Sequence, residues 1–176
     1  MPLQIRRALP ADAAALAAVA AATFPLACPP HTTDEAKADF IATHLSTANF
    51  EGYLADPDRD LFVAEDDGRA LGYTMLVAGD PTDPDVAGAI TTRPTIELSK
   101  VYVLADAHGA GVAAALVAAS IEAARARGAA GVWLGVNQEN GRANRFYEKN
   151  GFALVGEKRF LVGGSYEDDF VRELVL

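Results

Sequence analysis

The chain has little cysteine, few aromatic residues and a deficit of basic charge. One cysteine in 176 residues, Cys28, excludes an intramolecular disulfide and a cysteine-rich zinc site. No neighbour is suited to depress its pKa, so it reads as a small apolar side chain rather than a nucleophile. Fifteen Lys and Arg against 24 Asp and Glu leave a formal charge of −9. Contacts along a nucleic acid or an anionic membrane need clustered basic side chains, so neither is an expected partner. There is no internal repeat and no low-complexity linker. No His, Asp or Glu group has metal-ligand spacing and no Ser-His-Asp set is evident, so no metal is expected.

What is present is a globular composition, 51% hydrophobic and 22% charged. That is too apolar for disorder, and at this length it predicts a single domain over residues 1–176. Alanine supplies 36 residues, so much of the apolar fraction is small side chain. Arg6-Arg7 followed by an uncharged run from Ala13 to Cys28 superficially resembles a signal peptide. Asp12 directly precedes the run, Pro10-Ala11-Asp12 reads as a helix start, and residues 3–8 alternate like a strand. No other stretch approaches the ~20 apolar residues of a membrane span. The expectation is a cytoplasmic protein.

Residues 3–8 read as a strand and 11–22 as an Ala-rich helix stopped before Pro25. A helix capped by Thr33 or Asp34 follows, then a short helix or turn over 46–58. Leu61–Glu65 and Ala70–Ala78 form a hairpin around Asp66-Asp67-Gly68-Arg69. Gly79 to Pro94, with three prolines and three aspartates, reads as a long loop. Then come a strand from Thr95 to Leu104, a helix from Gly111 to Arg127, a strand from Gly131 to Val136 and a helix from Arg142 to Lys149. Two closing strands meet at Gly163-Gly164. This order is α+β, a mixed sheet with a βαβ unit at its centre.

Two stretches carry chemistry. In Val101-Tyr102-Val103-Leu104-Ala105-Asp106-Ala107-His108-Gly109-Ala110-Gly111-Val112, a strand runs through a glycine-containing loop into a helix. Unpaired N–H groups and the helix dipole at such a start suit a phosphate or pyrophosphate, and glycine lets it approach the backbone. A tight strand–helix turn accounts for the same glycines without any ligand. Neither the P-loop nor the three-glycine dinucleotide pattern is present. The second stretch runs from Val132 to Phe152 and contains Asn140, Ala143, Phe146-Tyr147 and Gly151-Phe152.

Together these stretches resemble the acetyl-CoA-binding core of the GCN5-related N-acetyltransferase (GNAT) superfamily. The first is similar to its Gln/Arg-x-x-Gly-x-Gly/Ala loop, with His108, Gly111 and Ala113 in the defined positions. The second is similar to its Asn-x-x-Ala-x-x-Phe-Tyr-x-x-x-Gly-Phe signature. Ile96 to Val103, Trp133 to Val136 and the ending Phe160 to Phe170 further resemble bacterial spermidine/spermine N-acetyltransferases. The resemblance implies a GNAT fold: a mixed, mostly antiparallel twisted sheet of about seven strands with about four helices on both faces. It also implies an acetyl-CoA-dependent transfer to a primary amine of a small molecule, a polyamine first among them. The alternatives are a protein N-terminus or lysine as acceptor, or a non-catalytic acyl-CoA-binding module. Edge-strand pairing into a homodimer is common in the superfamily.

By the same resemblance, Val101 and Val103 would offer backbone groups to the pantetheine arm of acetyl-CoA. Residues His108, Gly109, Ala110, Gly111, Val112, Ala113 and Ala114 would cradle the pyrophosphate. Asn140 would hydrogen-bond the cofactor, and Tyr147 would protonate the departing thiolate. His108 replaces the usual Gln or Arg, adds little charge at neutral pH and implies weaker cofactor binding. Phe146-Tyr147 also fits ordinary core aromatics. Glu97 is the candidate general base, since period-two alternation puts Glu97, Ser99, Val101 and Val103 on one face; ordered water is an alternative route for the proton. Residues 34–67 hold ten acidic side chains and the tail adds Glu167, Asp168 and Asp169, expected either to draw a polycation to the acceptor side or to form a solvated surface. Arg142, Arg145 and Lys149 are positioned to meet the cofactor's phosphates.

Overall fold

A computed structural model of the chain describes residues 2–176. Strands β1 (Gln4–Arg7), β2 (Arg59–Asp66), β3 (Arg69–Ala78), β4 (Thr95–Val103), β5 (Gly131–Asn137), β6 (Ala153–Val162) and β7 (Ser165–Val175) form one sheet. Its order is β1-β2-β3-β4-β5-β7-β6. Every pairing is antiparallel except β4 with β5. The described residues hold six α-helices, where about four were expected: α1 (Ala13–Ala27), α2 (Asp34–His44), α3 (Thr47–Ala55), α4 (Pro84–Ala89), α5 (Val112–Ala126) and α6 (Gly141–Lys149).

Local chemistry explains most boundaries. Asp67 and Gly68 both take positive φ, 50° and 77°, the two-residue turn whose twist suits the β2–β3 hairpin. Thr33 and Ser46 cap α2 and α3 by accepting from Ala36 N–H and Asn49 N–H. Helix α1 departs from expectation by running through Pro25. A ring in the last turn removes one hydrogen bond where bonding is already ending, and Cys28 N–H closes the turn on the Pro25 carbonyl at 3.3 Å. The expected long loop also contains structure. Asp83 caps α4, and Val86 and Ile90 pack with Trp133 and Val171 in a small third core. The Glu173 carboxylate ties down the following residues by accepting from the N–H and hydroxyl groups of Thr91 and Thr92.

The two main cores lie on opposite faces of the sheet. Leu116, Val117 and Ala124 of α5 pack with Leu98, Val132 and Leu134 on one face. Leu16, Ala20 and Phe24 of α1 and Phe50 of α3 pack with Tyr73 and Met75 on the other. The α1 segment is apolar and long enough by composition to cross a bilayer. Here Leu16 and Ala20 are fully buried against the sheet.

Strand β4 breaks its own alternation. Met75 pairs with Lys100 while Leu76 pairs with Leu98, which leaves Ser99 as an extra residue in a bulge. Ile96, Leu98, Val101 and Val103 therefore face α5. Glu97, opposite Val77, and Lys100, opposite Met75, share the α1 face with Tyr102. The single face expected for Glu97, Ser99, Val101 and Val103 is thus corrected: one inserted residue inverts the phase of everything after it.

Far from this strand, Asp60 receives Arg7 Nη1 and Arg127 Nε at 2.5 Å each, joining β1, β2 and the end of α5. Burial opposes ionisation of Asp60, but the bonds from Arg127 and Arg7 prevail and hold its carboxyl below the ordinary value. Asp60→Asn is expected to cost about 2 kcal/mol in denaturant unfolding at pH 7, between the values for exposed and buried pairs. Because the folded pKa is the lower one, this contribution is complete above about pH 4 and fades as pH falls through the folded value. The wild type should therefore converge on the variant in acid, and a pH-independent difference would remove Asp60's charge from the account.

Candidate active site

Strands β4 and β5 pair only from Thr95–Gly131 to Glu97–Trp133 and then diverge. The gap is lined by backbone. Leu104 N–H donates to the Leu71 carbonyl at 2.8 Å, which makes that pair hydrogen-bonded in the β3–β4 ladder. Antiparallel ladders alternate, so the Tyr102–Tyr73 pair bonds across to β3, whereas Val101 and Val103 turn their N–H and C=O groups toward the gap.

Beyond β4 the chain reaches the start of α5. Gly109 and Gly111 take φ of 82° and 78°, a conformation costly for other residues, and Gly111 is the N-cap. The first helical bond is Ala115 N–H to the Gly111 carbonyl, 3.1 Å. The N–H groups of Val112, Ala113 and Ala114 thus lie outside the helical ladder, a donor set matched to an anion.

His108 makes two contacts within the protein. Its Nε2 lies 2.8 Å from the Val103 carbonyl, which can only accept, so Nε2 carries the proton. Nδ1 is then an acceptor and takes a hydrogen bond from Arg142 Nη1. His108 occupies the Val103 carbonyl and aims Arg142, so the positive charge comes from α6 instead of the loop. Asn140 is likewise partly committed: its Oδ1 caps α6 by accepting from Ala143 N–H at 3.1 Å, leaving the amide nitrogen for a ligand.

Tyr147 stands on α6, whose placement depends on a buried polar lock. Arg172 donates to Asn144 Oδ1 and to the Phe152 carbonyl, both at 3.0 Å. Asn144 in turn donates to the Asn137 and Asn140 carbonyls. The Tyr147 ring packs edge-on against Phe146 and Phe152. Its hydroxyl makes no hydrogen bond among the described residues. Burial pushes the phenol well above its ordinary value of 10.0, so it stays protonated at neutral pH.

Two cavities meet at Tyr147. The first, about 180 Å³, runs past Val101, Val103, Ala113 and Phe146 to His108 and Arg142. Its apolar wall, peptide edge and anion-binding end fit the acyl thioester, pantetheine and pyrophosphate of an acyl-CoA. The second, about 210 Å³, lies on the α1 face of β4 between Phe24, Phe40 and Phe160, with Cys28 on its rim of apolar groups. Tyr102, Val101 and Asn140 line both. Cys28 donates its thiol to the Phe24 carbonyl, and burial raises its pKa, in keeping with an unreactive side chain.

The charged groups of the second cavity are Glu97, Glu167 and Asp169 with Lys100 and Lys158. Burial raises the Glu97 carboxyl, opposed by Lys158, Lys100 and Arg59. Burial pushes Asp169 up to about 6, against the pull of Lys158, whose Nζ is 3.8 Å away. Tyr102 is raised by burial and by Tyr147, Cys28 and Asp169. Asp169 lies opposite Asn137, the last residue of β5, at the end of the sheet that leads into α6 and Tyr147. The sequence treated Asp169 as part of an acidic tail. Its signal was period two on β7, where Glu167, Asp169, Val171 and Glu173 are all buried.

The ten early acidic residues are elsewhere. Among the described residues lining the second cavity, none comes from 34–39 or 51–67. Asp56 pairs with Arg59, Asp60 with two arginines and Glu65 with Arg6. The fold does gather one group that sequence spacing did not announce: His31 Nε2 lies 2.8 Å from Glu167, and Nδ1 3.6 Å from Glu139. This bridge links the α1–α2 loop to β7 and to the turn before α6.

The acetyltransferase (GNAT) family model matches residues 22–152. An uncharacterised N-acetyltransferase of Mycobacterium tuberculosis is 49% identical over 166 residues, 93% of this chain and 99% of that protein. Among solved structures, PaiA N-acetyltransferase from Thermoplasma acidophilum in complex with coenzyme A gives a TM-score of 0.79 at 18% identity, covering 100% of both chains. NAA60 of Arabidopsis thaliana, in complex with a bisubstrate analogue, gives 0.70 at 16% identity over 99% of both. The chain belongs to the GNAT family. It is an acetyl-CoA-dependent N-acetyltransferase with the seven-stranded fold its motifs implied.

If Arg142 is the cation that meets the cofactor's phosphates, Arg142→Ala should weaken CoA binding about tenfold, or 1.4 kcal/mol. Calorimetry should show the deficit shrinking as salt is added. Unchanged affinity at low salt would assign Arg142 to structure alone.

Proposed function

We propose that this enzyme transfers acetyl directly to the primary amine of a small molecule, with Tyr147 as acid and Asp169 as base. One observation carries the reading: Tyr147, its hydroxyl unbonded, lines both the acyl-CoA cavity and the carboxylate-bearing cavity beside it. Acetyl-CoA supplies the acetyl group as a thioester.

The chain's residues would then act as follows. The peptide groups of Val101 and the N–H of Val103, whose carbonyl His108 occupies, hold the pantetheine arm as an added strand, and an N–H there polarises the thioester carbonyl. The N–H groups of Val112, Ala113 and Ala114, with Arg142, hold the pyrophosphate. Asp169, ionised above about pH 6, takes the proton that the amine must lose. Glu97, on the same face of β4 as Lys100 but farther from Tyr102, adds to the negative field that draws the ammonium into the cavity. As the new C–N bond forms and the C–S bond breaks, Tyr147 gives its proton to sulfur, and the second proton that the nitrogen loses returns to the phenolate. Apposition of the two substrates requires no covalent enzyme intermediate.

A small acceptor is favoured by how the cavity is closed. The β6–β7 tip meets α2 so tightly that a Cβ on Gly163 would lie 2.4 Å from that of Ala36. His31 bridges the same side through Glu167 and Glu139. A polyamine, suggested by the subfamily likeness, would find three carboxylates in this cavity but also two lysines.

Tyr147→Phe is expected to lower kcat by about 10²-fold or more in a thiol-release assay while leaving CoA affinity within about twofold. Equal activity of the variant would remove Tyr147 from the chemistry. In the wild type, kcat/KM should rise with pH through a step near 6, because only the ionised Asp169 accepts a proton. Asp169→Asn should abolish that step, and its persistence would transfer the role to Glu97 or to water.

A further inference from the structure

Lys100 is the charged group of the acceptor cavity that neither the proposed chemistry nor an ion pair uses. The Ser99 bulge turns it onto the α1 face, two residues before Tyr102, so its Cα lies one strand repeat, about 6.6 Å, from that of Tyr102. It lines the cavity. Among the described residues its ammonium makes no hydrogen bond and no ion pair. Burial brings it down to about 8, with Glu97 raising it and Arg59 lowering it further. The other lysine differs: Lys158 pairs with Asp169 and sits 5.3 Å over the Phe160 ring. A half-buried ammonium with no hydrogen bond or ion pair loses hydration that the field of Glu97 only partly offsets, and a carboxylate in contact with it would restore what water has lost.

We propose that the acceptor is an amine that also carries a carboxylate, an amino acid in the broad sense, whose carboxylate is held by Lys100. The inference rests on the N-acetyltransferase reading above and narrows its substrate class. The amine end would lie between Asp169 and Tyr147, and the apolar middle would run along Phe24, Phe40 and Phe160. Phe24 and Phe40 stack with centroids 4.4 Å apart, and Phe160 meets Phe40 edge-on at 5.5 Å, giving a continuous apolar wall. Opposed charges at the two ends of the ligand would meet opposed charges on the wall. A polycation of similar length would place one ammonium against Lys100.

The test uses matched acceptors that differ only in the carboxylate: amino acids against the corresponding decarboxylated amines, and ω-amino acids of graded length against diamines, with spermidine included. Thiol release by the full chain should give kcat/KM at least tenfold higher for the carboxylated member of the best pair. Lys100→Met should collapse that ratio to about one, chiefly through KM of the carboxylated member, and Lys100→Arg should largely restore it. Circular dichroism and CoA calorimetry on each variant separate loss of folding from loss of preference. Preference of the wild type for carboxyl-free amines or spermidine overturns the proposal and leaves the N-acetyltransferase reading intact. An unchanged ratio in Lys100→Met, or equal loss of kcat on both members, also overturns it. No turnover with any amine despite CoA binding contradicts this proposal and the proposed function together.

Discussion

The structure depends on where β4 and β5 stop pairing. They share three register positions, from Thr95–Gly131 to Glu97–Trp133, and then part. Parallel pairing beyond that point would consume the peptide groups of Val101 and Val103 and close the space in which both cavities lie. The unmade ladder has to be compensated, and β4 is held from its other side by β3, while Arg172 and Asn144 fix the helix that follows β5. The opening is thus bounded by rigid elements, which suits a reaction that requires two bound molecules to meet without a covalent relay.

The Ser99 bulge adds a second constraint. Ahead of it Ile96 and Leu98 face α5; after it Val101 and Val103 do. Side chains of Glu97, Lys100 and Tyr102 are all delivered to the opposite face, so one strand turns peptide groups toward the first cavity and charged groups toward the second. A regular strand could not do this, because strict alternation would send Glu97 and Lys100 to different faces.

Much of this was legible in the sequence, for identifiable reasons. Turn residues such as Asp67-Gly68, caps such as Thr33, and the α5 periodicity act locally, and the structure follows them. The Gly109–Gly111 loop and the Asn140 to Phe152 signature placed Tyr147 and the α5 N-terminus together. What failed was non-local. Whether Pro25 ends a helix depends on the packing behind it, and a bulge depends on the partner strand. The contact of His108 with Arg142, 34 residues away, was equally out of reach of local pattern. Of the two readings of the acidic stretch 34–67, the structure fits the solvated surface: none of its carboxylates lines the second cavity, and Asp56, Asp60 and Glu65 pair with Arg59, Arg7, Arg127 and Arg6. Asp169 was hidden in a tail where only burial separates it from Asp168.

The central claim is that the gap between β4 and β5, continued by the start of α5, is the acyl-CoA site. Amide hydrogen exchange with and without CoA measures it at the backbone groups concerned. Slowed exchange is expected at Val101, Val103 and Val112 to Ala114, with β1 and the far end of α5 unchanged. Binding that leaves those amides unprotected, or that protects a different edge of the sheet, would contradict the account.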